Sequence, residues 1–108
     1  MVEPKLMCRQ HLLGEHCELH MFVGTINKGI KLDGYVEHNC VEITSLKQRH
    51  DDLVRELTAR GYNHQSDLLD FDPDYLEKDI INFCIDRKKN YDNLMNRCED
   101  CRKRVEVL

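Results

Sequence analysis

Apolar side chains recur at helical spacing over most of the chain. At about 100° per residue, Leu12, His16, Leu19, Val23 and Ile26 fall on one stripe. Gln10, Gly14, Cys17, Glu18 and Met21 fall on the opposite side. This pattern predicts a first helix that begins between Pro4 and Cys8 and ends near Asn27-Lys28-Gly29, where glycine suits the left-handed cap. Residues 29–38 read as a loop. A second helix is predicted with Asn39 as N-cap, Glu42 three residues later, the stripe Leu46, His50, Leu53, Leu57, and Gly61 at its end. Residues 62–72 read as a loop rich in Asn, Ser and Asp. A third helix is predicted from Asp72-Pro73 to the C-terminus. Its seam is Ile80, Cys84, Arg87, Tyr91, Leu94, Cys98, Cys101, Val105, with spacings that alternate four and three as in a coiled coil. That helix would be about 50 Å long, more than the other two can cover. A homo-oligomer joined through residues 80–105 is therefore expected. No strand, internal repeat or low-complexity segment is predicted, so the fold class is all-α, three main helices in one domain spanning residues 1–108.

Charge narrows the function. The 108 residues carry 16 Lys and Arg against 20 Asp and Glu, a net charge of −4. Residues 1–70 hold 8 basic and 11 acidic side chains, and residues 71–108 hold 8 and 9. Neither part is a basic module that would steer DNA inward through its overall field. No apolar run long enough to span a membrane occurs, and no signal-peptide hydrophobic segment opens the chain. A cytoplasmic protein without a membrane partner is expected, with its six cysteines as thiols.

Glu18 is the first candidate for chemistry. It shares the polar side of the first helix with Gly14, a residue that costs about 1 kcal/mol against alanine in a helix and lets a large group approach. His11 lies two turns before it. His16 and His20 are four apart, the spacing of a metal pair, but His16 faces the leucine stripe and reads as a core histidine. Cys98-Glu99-Asp100-Cys101 is one CxxC pair. Zinc generally wants two such pairs, or one with histidines nearby. Both cysteines fall on the apolar seam, so they read as buried thiols; no bound metal and no cofactor is expected. The runs Arg87-Lys88-Lys89 and Arg102-Lys103-Arg104 read as solvated helix faces. Tyr62 and Tyr75 could stack on bases, and Tyr91 reads as core.

The segment Gln10-His11-Leu12-Leu13-Gly14-Glu15-His16-Cys17-Glu18-Leu19 resembles the QHL-x-x-E-x-R-E-L core of the pyrimidine-dimer DNA glycosylases, the endonuclease V family known from phages and bacteria. Leu46 through Asn63, ending Arg60-Gly61-Tyr62-Asn63, resembles that family's second long helix and its exit. The resemblance covers roughly residues 5–66. It implies a repair glycosylase with AP lyase activity acting on double-stranded DNA that carries UV-induced pyrimidine dimers. Glu18 matches the catalytic carboxylate. The nucleophile would be an N-terminal amine, that of Val2 if Met1 is removed. Gln10, His11, Gly14, Cys17, Met21 and Lys28 would border DNA or ligand. The chain departs from the family pattern at three places: it begins about five residues later, and Cys17 and Met21 stand where arginines contact phosphate. These departures support a second expectation, a catalytically silent relative binding a small nucleotide, DNA or a protein partner, such as a phage protein that sequesters a nucleotide signal.

Overall fold

A computed structural model describes residues 1–62 and 67–108. Six helices appear among them: α1 (Arg9–Asn27), α2 (Asp33–Glu37), α3 (Leu46–Ala59), α4 (Lys78–Ile81), α5 (Arg87–Arg97) and α6 (Glu99–Val107). Short 3₁₀ turns at Pro4–Leu6 and Ile43–Ser45 precede α1 and α3. The described residues contain no strand. The all-α expectation holds, although the three expected helices are divided further.

The long helices α1 and α3 pack on one another and form the centre. The apolar stripe predicted for α1 is buried in full: Leu12, His16, Leu19, Val23 and Ile26. It meets Leu46, Leu53 and Leu57 of α3 in one cluster that also takes in Val2, Met7, Leu94 and Cys101. Both helices end on glycine. Gly29 at φ +71° and Gly61 at φ +90° occupy the left-handed region that costs glycine little. In each case the next residue reaches back to a carbonyl of the last turn, Ile30 N–H to Thr25 and Tyr62 N–H to Leu57.

The interval between α1 and α3 is not a plain loop, because α2 forms within it. Asn39 does not cap α3 at its start. It terminates α2, with φ +58°, its N–H on the Val36 carbonyl and the Cys40 N–H on that of Tyr35. Asparagine tolerates this left-handed conformation better than other side chains. The second helix consequently starts six residues later than expected, at Leu46 after Ser45.

The third predicted helix is broken twice. Asp72 accepts from the Asp74 N–H in a turn and starts no helix. The first break follows α4. Glu42 accepts the Ile85 N–H, and the Asn39 amide both accepts from the Asp86 N–H and donates to its carbonyl. With those backbone groups captured, Asp86 caps a new helix by accepting the Lys89 N–H. The second break is at Cys98, which ends α5 and caps α6. A continuous helix of about 50 Å would exceed the longest dimension of the molecule, 43 Å. The segments fold back instead. Cys84 and Arg87 of the expected seam are exposed, Leu94 and Cys101 enter the core of the same chain, and α6 packs on the first 3₁₀ turn. The excess length that pointed to a second chain does not exist.

Asn63 and residues 64–66 of the expected loop lie outside the described residues. The described part of that loop is Tyr62, which packs against the core, and residues 67–72, of which Leu68 is buried. No helix among the described residues is long and apolar enough to cross a membrane.

Candidate functional site

A cleft of about 850 Å³ opens along the outer side of α1. Gln10, His11, Gly14 and Glu18 recur at helical spacing and line one wall. The stretch from His38 to Glu42 lines another, and Asn90, Asn93 and Arg97 of α5 face them. Met1 and Val2 also line it. A Cβ built at Gly14 would meet nothing within 4 Å, so this glycine opens onto the cleft and spares no neighbouring side chain.

Beside the cleft are two ion pairs. Arg49, from the core-facing side of α3, gives two parallel hydrogen bonds to Glu15, one from Nε to Oε2 and one from Nη2 to Oε1 at 2.8 Å. Arg49 is only 6% exposed and Glu15 half-buried, so this bidentate pair is screened less by water and salt than a surface pair. Glu42 is 5% exposed and accepts from Ser45 Oγ, from the Ile85 N–H at 2.9 Å and from Arg87 at 3.1 Å. Burial alone would raise its carboxyl. Those hydrogen bonds and the Arg87 charge outweigh burial and hold the carboxyl below the ordinary carboxylate range.

The α-amine of Met1 lies in this field. Its pKa falls from 8.0 to about 6, first through burial, then through the positive charges of Arg49 and Arg87, with Glu15 and Glu42 opposing. Glu18 moves the other way. Burial and the nearby negative Glu15 raise its carboxyl, against a smaller opposing effect of Arg97. Both shifts favour neutral forms, so the cleft holds an amine that sheds its proton easily and a carboxyl that keeps one longer.

Five of the residues expected from the sequence border this cleft: Val2, Gln10, His11, Gly14 and Glu18. The side chain of Val2 is core, 4% exposed, and the amine at the cleft in this chain is that of Met1. Cys17 and Met21 on α1, and Lys28 just after it, are exposed but do not line the cleft. The basic runs are largely occupied: Lys88 pairs with Asp92, Lys103 with Glu99, Arg87 with Glu42 and Arg104 with Glu56. Tyr62 lies under the Arg9 guanidinium at 5.1 Å, Tyr75 donates to the Ile30 carbonyl, and Tyr91 packs against the core as expected. Glu15, Arg49 and Glu42 are site residues that periodicity does not single out, since each needs a partner distant in sequence.

Two further clusters could hold a metal. His16, buried as expected, has its Nε2 3.1 Å from that of His20, and His50 joins them from α3 with its Nδ1 3.1 Å from Asp51. Cys8, His11, Cys98 and Cys101 form the other, with all four ligand atoms within 4.8 Å of one another.

Among known proteins, the family model described as pyrimidine dimer DNA glycosylase matches residues 1–70. No curated protein and no solved structure matches the chain.

Proposed function

This chain belongs to the pyrimidine dimer DNA glycosylase family, and from that premise we propose that it excises UV-induced pyrimidine dimers and cleaves the strand as an AP lyase, with the chain's α-amine as nucleophile and Glu18 as catalytic carboxylate. The observation that supports this most is the pairing of a lowered amine and a raised carboxyl in one cleft. An amine with a pKa near 6 is about nine-tenths neutral at pH 7, whereas an ordinary one near 8 is mostly protonated. The neutral nitrogen attacks C1′ of the damaged nucleotide. The bond to the base breaks and its electron pair leaves with the base. The nitrogen loses its protons as the sugar ring opens to an imine. Glu18 stabilises the cationic sugar and takes up and returns these protons. Removal of a C2′ proton next to the imine then expels the 3′ phosphate and cuts the strand. The wide cleft receives a nucleotide taken out of the duplex stack.

The test is borohydride trapping on a duplex with an abasic site. The native protein should form a covalent adduct located by mass to its first residue, and Glu18→Gln should abolish dimer excision while duplex binding persists. Equal excision by native and Glu18→Gln protein removes Glu18 from the mechanism.

A second reading has its own support. The cleft volume lies within the range of small-molecule sites, and its α5 wall offers the amides of Asn90 and Asn93 beside Arg97. With Cys17 and Met21 supplying no cation to phosphate, the same cleft suits a small nucleotide held without chemistry. Thermal stabilisation by mononucleotides or cyclic dinucleotides, together with no adduct in the trapping assay, selects this reading.

A further inference from the structure

Chain order hides the strongest cluster in the molecule. Cys8 and His11 open α1, and Cys98 and Cys101 open α6, ninety residues away. Each pair has the spacing of two intervening residues, Cys-x-x-His and Cys-x-x-Cys. We propose that these four residues bind one zinc ion in a closed tetrahedral site that ties α6 to α1. Cys98 and Cys101 are a lone pair only along the sequence, and the fold supplies the second pair.

The geometry is that of a metal site. With zinc–sulfur bonds near 2.3 Å and zinc–nitrogen bonds near 2.0–2.1 Å, tetrahedral ligand atoms sit about 3.5–3.8 Å apart. Here Cys8 Sγ lies 3.8 Å from Cys98 Sγ and 3.2 Å from His11 Nδ1, and Cys101 Sγ lies 3.7 Å from His11 Nδ1. Cys8 and Cys101 are buried and His11 and Cys98 half-buried, and four protein ligands fill a tetrahedral coordination shell. The outer contacts also fit. The Cys8 N–H donates to Cys101 Sγ at 3.2 Å, and the Cys101 N–H donates to Cys98 Sγ at 3.5 Å. Such N–H donors orient thiolates and spread their charge. Each pair also lies in the first turn of its helix, where the dipole favours anionic sulfur.

Such a site has a definite consequence. The family match ends at residue 70, so zinc would join the family core to the segment that follows it. That segment supplies the α5 wall of the cleft, and His11 belongs to cleft and cluster alike.

The full chain, purified without chelator, should carry one zinc equivalent that is lost in Cys98→Ser and Cys101→Ser. Cobalt exchanged for that zinc should show thiolate-to-metal charge transfer, which a site made from His16, His20 and His50 would lack. If the serine variants fail to fold, His11→Cys serves instead: it should keep the metal and raise the charge-transfer absorption per cobalt by about a third, from three thiolates to four. Chelation should lower Tm by several degrees, with zinc and not magnesium restoring it. A native chain without zinc even after refolding in its presence overturns the proposal. So does zinc content unchanged in folded Cys101→Ser, or a mass showing a Cys8–Cys98 disulfide.

Discussion

The α-amine of Met1 and its surroundings carry the most direct residue-level prediction. Because its pKa is about 6 in place of 8.0, the rate of imine trapping should rise with pH through a midpoint near 6 and level off above 7. A midpoint near 8 would show an amine exposed to water and unaided by Arg49 and Arg87. The linkage to stability has the same sign. The unfolded chain binds the proton more tightly between pH 6 and 8, so folding is favoured progressively as pH rises through that window. Arg49 makes a second prediction. Replacing it with alanine leaves the Glu15 carboxylate half-buried without its bidentate partner, and breaking such a pair costs about 3 kcal/mol; urea unfolding measures it. Glu18 was legible in the sequence because it sits at a fixed offset from Gln10 and His11 on a single helix. Glu15–Arg49 was not, since it joins side chains 34 residues apart. Cys8 and His11 drew no attention as a ligand pair in the sequence, because their proximity to Cys98 and Cys101 depends on α6 lying beside the start of α1.

At the scale of elements, burial patterns predicted α1 and α3 well and the C-terminal third poorly. A stripe of buried leucines fixes a helix that packs against one neighbour. The alternating seam from Ile80 to Val105 is equally regular, yet the backbone leaves the helix where Glu42 and Asn39 capture the N–H groups of Ile85 and Asp86. Those captors come from a segment more than forty residues earlier, so no local pattern announces the break. Leu94 anchors α5, since it is 4% exposed and belongs to the main core. Leu94→Ala should cost about 3 kcal/mol in urea unfolding, and Tyr91→Phe, at a half-buried position, much less.

Across the whole molecule, a net charge of −4 opposes a polyanionic substrate. Duplex affinity should therefore be modest and should fall steeply with salt. Cys17 and Met21 are exposed on α1 outside the cleft, where the family resemblance places arginines. The double variant Cys17→Arg, Met21→Arg should tighten duplex binding and steepen the slope of log affinity against log salt by about 0.9 for each additional phosphate neutralised. An unchanged slope, measured by titration at several salt concentrations, would mean that DNA does not pass over this face.

The first residues are gripped firmly. Arg60 donates to the carbonyls of Pro4 and Met7, and Arg104 to that of Lys5, which fixes the segment that leads to Met1 at the cleft lining. Any peptide fused ahead of Met1 begins at the cleft lining, and it turns the amine into an amide. Preparations carrying an N-terminal purification handle should thus be inert in trapping and blocked toward nucleotides. A handle after Leu108 is free of this effect, because Val107 and Leu108 project into solvent.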